Sequence, residues 1–240
     1  FIDKRGLFST LGTGVVIAGH WWAFFKSIEL SNVSIALIFM STTAFFTSFV
    51  EPIITKKKFD YKELLMGVLV VIGIGIIIND LYFNVNRQYI WAIILALISA
   101  FLAAVFSIIN SVLVKKYDSK VISLYELFGG FVAITLATIL SGKYQFADFN
   151  ISVFQFILLF ILGSVCTSFA FLMGVYIMKF IPAYTVNLSV NMEPIYAIVL
   201  ALLFFGSQEV MSLNFYLGSS IVVGTILMNA YFKRKKSDKK

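Results

Sequence analysis

The chain has 240 residues, 60% of them hydrophobic and 13% charged, with a formal net charge of +7, whereas a water-soluble domain carries about 25% charged residues. Water is therefore excluded as the main solvent, and the Lys and Arg sit in short loops and a tail, not on the basic, aromatic-interleaved face that nucleic-acid binding needs. One cysteine and one histidine, without an acidic cluster or a phosphate-binding Gly-rich loop, argue against a disulfide, metal hydrolysis and Cys/His catalysis. The protein is expected not to be an enzyme, and no cofactor or metal is expected.

A bilayer-spanning helix needs about 20 mostly apolar residues. Eight stretches qualify, which predicts an all-α polytopic membrane protein. In chain order the predicted spans are A from Leu7 to Ile28, B from Asn32 to Ile54, C from Lys62 to Asn79 and D from Tyr89 to Val114. Span E runs from Val121 to Ser141, F from Val153 to Met178, G from Ala183 to Phe205 and H from Ser212 to Phe232. Short polar connections separate them, including Ser31-Asn32, Lys56-Lys57-Lys58, Asp118 to Lys120, Gly142 to Asn150 and Pro182. Phe1 follows no starting Met and opens no signal-peptide pattern, so the beginning of the chain reads as an internal cut.

Basic residues concentrate in cytoplasmic loops. With eight spans, 16 of the 19 Lys and Arg fall on one side: Lys4, Arg5, the B/C and D/E loops, Lys179 and the tail from Lys233. Lys26, Arg87 and Lys143 fall on the other. Both ends are thus expected in the cytoplasm. The richness in Ile, Phe, Lys and Asn suggests a bacterial inner membrane.

A shift of about 150 residues lays A on F, B on G and C on H. Gly67 and Gly73 then match Gly218 and Gly224, and Ser41-Thr42-Thr43 matches Asn191-Met192-Glu193. Glu51-Pro52 and Glu193-Pro194 look alike but lie at different depths. The orientation assigned from charge makes the repeats inverted, a signature of secondary transporters with a midplane site. The expected division is residues 1–80, the last three helices of repeat one, and residues 81–240, a five-helix repeat two with a basic tail. Two spans are expected to precede the chain.

Span B with the turn from Lys56 to Gly67 and the Gly67, Gly73, Gly75 helix, then Pro182 through Met192-Glu193-Pro194 to Gly206, Glu209 and Gly218, resemble the EamA-like branch of the drug/metabolite transporter superfamily. The resemblance covers essentially the whole chain. It implies a ten-helix protein of two five-helix inverted repeats that moves small metabolites, often coupled to protons. Repeat one departs from the pattern around Ala44 and Phe45, where the family's mid-helix proline is absent, and near Lys58, where a lysine replaces its loop glutamate.

Ionisable groups at membrane depth ask for an explanation, since a charge there costs about 2.5–3.5 kcal/mol on insertion scales. Glu193, mid-span in G before Pro194, reads as a proton or substrate-amine site, or else as a neutral Glu bonded to a neighbouring helix. His20, beside Trp21 and Trp22, could exchange a proton with Glu193, or pack neutrally between helices. Trp21, Phe24, Phe25, Tyr176 and Tyr196 are candidates to line a cavity, against a background in which most aromatics are structural. Asn187 and Asn191 share one face of G, and Ser41, Thr42 and Thr43 sit at matching depth in B. These could form the polar floor of a pocket or simply bond between helices. Glu126 is expected to snorkel to the cytoplasmic edge or pair with Lys120. Gly12, Gly14, Gly129, Gly130 and Gly163 are expected to permit close helix approach.

The leading expectation is alternating-access transport of a small metabolite or drug-like solute, with proton coupling. The partners expected are that solute, the lipid bilayer and a coupling proton, and a homodimer is an allowed assembly. A non-transporting assembly or sensor subunit, and a membrane-embedded lipid-modifying enzyme, are the competing readings.

Overall fold

The computed structural model describes residues 2–56, 65–66, 68–70, 72–77, 88–142, 150–190, 193–206 and 211–237. Among these the fold is all-helical, with no strand. The elements are α1 (Lys4–Leu30), α2 (Val33–Met40), α3 (Thr43–Thr55), α4 (Gln88–Leu113), α5 (Ser119–Ser141) and α6 (Val153–Ile161). A π-helical stretch (Leu162–Phe169) joins α6 to α7 (Ala170–Ile177), and α8 (Ala183–Val190), α9 (Glu193–Phe205) and α10 (Leu213–Ser237) follow. Among the described residues four segments are long and apolar enough to cross a bilayer: Val33–Thr55, Gln88–Leu113, Ser119–Ser141 and Val153–Ile177. Span C and the tip of the tail lie partly outside the described residues, as do Asn191, Gly67, Lys58 and Glu209.

Local chemistry sets the helix ends. The Asn32 side chain accepts from the Ile35 amide at 2.9 Å and starts α2. Asp118 caps α5 by accepting from the Lys120 amide, and Ser152 with Gln155 makes a reciprocal capping box at α6. The Gly142 C-cap of α5 has φ 61°, in the left-handed region that glycine enters without a Cβ penalty.

Span B is not one helix. It breaks at Ser41-Thr42, and three consecutive hydroxyls fold back onto the preceding turn. Ser41 donates to the Ile38 carbonyl, Thr42 to Phe39 and Thr43 to Met40, at 2.6, 2.6 and 2.7 Å. In hydrocarbon an unpaired backbone group is expensive, so a helix interruption persists where side chains re-satisfy the freed carbonyls. Span F stays continuous but widens into the π-helical stretch, where Ser168 donates to the Gly163 carbonyl at 2.7 Å.

The chain forms two compact units, Phe1–Ala18 with Ile109–Pro182, and Gly19–Ile108 with Ala183–Lys240. In the first, α5 packs on α7, and α1 crosses α5 with backbones in contact. A Cβ on Gly129 would lie 2.7 Å from the Leu11 carbonyl oxygen, and one on Gly14 would meet the Glu126 carbonyl and lie 2.9 Å from the Gly130 nitrogen. The large apolar side chains from Val153 to Leu162 stay exposed along α6, a surface that suits lipid and not water. In the second unit α2 packs on α9, and α3 on α8. Ile35, Ile38, Phe39, Ile77, Ile93, Ala96 and Phe215 make its core. Gly73 and Gly218 again allow backbone approach, since a Cβ on Gly218 would lie 2.8 Å from the Gly73 carbonyl oxygen.

Outside the spans, Asp3 fastens the start of α1. Its carboxylate accepts from the Tyr117 hydroxyl at 2.6 Å, the Gly6 amide at 2.7 Å and the Lys116 ammonium at 3.1 Å. These donors, the Tyr117 hydroxyl first, hold its pKa below the ordinary 3.8, at about 2. A depressed carboxylate pKa stabilises the fold above the unfolded-state value and loses that contribution as pH falls through the folded one. The unfolding midpoint of Asp3→Asn should therefore lie slightly below wild type at neutral pH. The gap should close as pH falls from 3.8 towards 2, and it should shrink in high salt because the group is exposed.

Candidate polar site in the second unit

Three buried side chains meet in the second unit. Asn187 on α8 donates from Nδ2 to the Thr47 hydroxyl of α3 at 2.8 Å and accepts at Oδ1 from the Ser107 hydroxyl of α4 at 3.1 Å. Thr47 passes its own proton to the Thr43 carbonyl at 2.8 Å, so its oxygen is left to accept. A carboxamide has two donor hydrogens and two acceptor lone pairs on its oxygen, and each of these contacts uses one of them. The site therefore carries both donor and acceptor capacity, which is how small-molecule sites fix orientation.

The other sequence candidates make contacts of their own. Ser41, Thr42 and Thr43 are buried one to two turns before Thr47. Their protons go to their own helix instead of to Asn187, because the break at Ser41-Thr42 leaves nearby carbonyls to be satisfied. His20 is buried, with Nδ1 3.0 Å from the Ser99 carbonyl oxygen and 2.8 Å from the Ser99 hydroxyl, which itself donates to the His20 carbonyl at 2.9 Å. That hydroxyl has one proton, so the consistent assignment puts a hydrogen on Nδ1. Phe24 stacks on the His20 ring at 6.4 Å and Phe106 meets it edge-on at 5.4 Å. Trp21 is half-buried, while Phe25 is exposed. Glu193 is exposed on α9, and Tyr196, one turn on and on the same face, is 63% exposed.

Tyr176 belongs to the first unit, where it is 44% exposed and packs edge-on against Phe180. Glu126 also belongs to that unit and neither snorkels nor pairs with Lys120. It is fully buried, and its carboxylate accepts from Asn110 Nδ2 at 3.1 Å. The reason is helical phase. Glu126 shares the buried face of α5 with Ser119, Ile122, Ser123, Gly129 and Gly130, whereas the Lys120 side chain is exposed.

Sequence reasoning missed Thr47, Ser99, Ser107 and Asn110 as partners. A signal was present: Ala92, Ala96, Ser99, Ala103, Ser107 and Asn110 recur at helical spacing as one small and polar stripe, and all are buried. Among the described residues no group of His, Cys, Asp and Glu could hold a metal ion.

Comparison with known proteins agrees with this picture. A solved crystal structure of another protein is 12% identical, with a TM-score of 0.64 over 94% of this chain and 75% of that one, which is a likeness of fold. No curated protein matches the chain. The sequence model of the EamA-like transporter family matches residues 90–231. The all-helical fold, its membrane-length apolar segments and this match over more than half of the sequence place the chain in the EamA-like transporter family, as a multi-pass membrane protein.

Proposed function

We propose that the protein is a secondary transporter that carries a small organic solute across a bacterial inner membrane by alternating access, coupled to a proton gradient, with both ends of this chain cytoplasmic. Eight spans belong to a ten-helix fold of two inverted five-helix repeats, of which residues 1–80 and 81–240 are the parts present. One interrupted helix supports the reading. Span B breaks at Ser41-Thr42, in the middle of its apolar length. Discontinuous helices near the midplane are where such carriers build their sites.

The observation that carries the reading is Asn187, a buried carboxamide that joins α3, α4 and α8 through hydroxyls. In the same unit Ser41, Thr42, Thr43, His20, Trp21 and Phe24 supply further polar and aromatic side chains. Glu193 and Tyr196 add a carboxylate and an aromatic ring on one exposed face, a pairing that attracts an organic cation. In vesicles of the full-length protein, Glu193→Gln should weaken the half-saturation for amine solutes about tenfold and leave neutral solutes unchanged. Equal losses for amine and neutral solutes would assign Glu193 to structure.

A further inference from the structure

The first unit contains a polar centre that the solute site does not use. Glu126 is fully buried, and so is Asn110; Ser123, one turn before Glu126 on the same helix face, is buried as well. Asn110 Nδ2 donates to Glu126 Oε2 at 3.1 Å. The other carboxyl oxygen, Glu126 Oε1, and the carboxamide oxygen, Asn110 Oδ1, are buried with no hydrogen-bond partner among the described residues, and so is the Ser123 hydroxyl. Two acceptors facing no donor is the arrangement that a single added proton resolves. With a hydrogen on Oε1, the carboxyl donates to Asn110 Oδ1 while Oε2 keeps its bond from Nδ2, and acid and amide close a two-bond ring. The terminal torsions of Asn and Glu are broad enough to reach it.

We infer that Glu126, paired with Asn110, binds the proton that couples the carrier to the gradient, with Ser123 as the neighbouring hydroxyl through which it exchanges. Its role in coupling rests on the transport reading, but the existence of the site does not. The surrounding elements support it. The titratable groups on the helices and turns packed here include Asp3, Lys4, Arg5, Lys115, Lys116, Tyr117, Asp118, Lys120, Tyr125 and Tyr176. The lysines, Arg5 and Asp118 are exposed at the ends of their helices, and none of these groups bonds to Glu126 among the described residues. Burial with no cation at hand disfavours a carboxylate against its neutral form. The α1 backbone seals the centre from one side, because Gly14 lets it rest against the Glu126 carbonyl.

The test needs no substrate. The full-length protein in nanodiscs is titrated while the infrared absorption of protonated carboxyl groups is followed. A band present at neutral pH, lost in Glu126→Gln and retained in Glu193→Gln, is expected. In Asn110→Ala, which leaves Glu126 in place, that band should move, because its O–H has lost the amide acceptor; this keeps the test valid if Glu126→Gln does not fold. A spectrum in which Glu126→Gln removes only ionised-carboxylate absorption at neutral pH would overturn the proposal. Loss of the wild-type band on adding sodium chloride at constant pH would overturn it in favour of a sodium site. If the band behaves as expected while no solute is carried, the proton site stands and the transport reading fails.

Discussion

Gly14→Ala is expected to destabilise the protein by about 3 kcal/mol, at the upper end of what an overpacked methyl costs. Its Cβ would meet the Glu126 carbonyl and lie 2.9 Å from the Gly130 nitrogen, which is backbone on both counts. A flexible side chain would step aside; a helix backbone must move as a body. The nearby Gly12→Ala is the control, since a Cβ there meets nothing within 4 Å. It should change stability by no more than about 0.5 kcal/mol. Thermal unfolding in detergent, with both variants beside wild type, checks the pair. Equal midpoints would mean that α1 and α5 do not approach as described.

Asn187→Leu is the variant expected to affect function most. Leucine fills a similar volume but removes the donor to Thr47 and the acceptor for Ser107. Interhelical hydrogen bonds in membranes contribute about 0.6 kcal/mol on average and up to about 1.7, so the fold should survive with a loss of about 1–2 kcal/mol. Solute transport should fall at least tenfold, because a ligand that bonds to the carboxamide would face an apolar wall, and each missing well-placed hydrogen bond removes about 1 kcal/mol or more. Ser107→Ala removes one of the two contacts and should give an intermediate rate. The rates are read as initial uptake into vesicles at equal protein content.

Much of the fold could be read from the residues, and the reasons why some could not are physical. Apolar length places α1, α4 and α5 within a few residues of spans A, D and E, because nothing but a helix satisfies its own backbone in lipid. The same property hid the interruption in span B. Ser41, Thr42 and Thr43 are short enough to pass as helix residues, and only their simultaneous return to the i−3 carbonyls marks the break. Asn187 was legible as a polar residue at depth, but its partners Thr47 and Ser107 lie 140 and 80 positions away, and no spacing rule reaches that far. Glu126 was misjudged for a related reason. Its distance from the helix end suggested snorkelling, whereas its phase, shared with Gly129, Gly130 and Ser123, put it on the face that α1 covers.

The most direct test of the account is uptake and efflux of a mixed metabolite pool by vesicles of the full-length protein, with and without an imposed pH gradient, comparing wild type with Asn187→Leu. Movement of a solute that follows the gradient in wild type and falls at least tenfold in folded Asn187→Leu is the predicted result. No movement in wild type under any gradient, or equal movement by the two proteins, would contradict it.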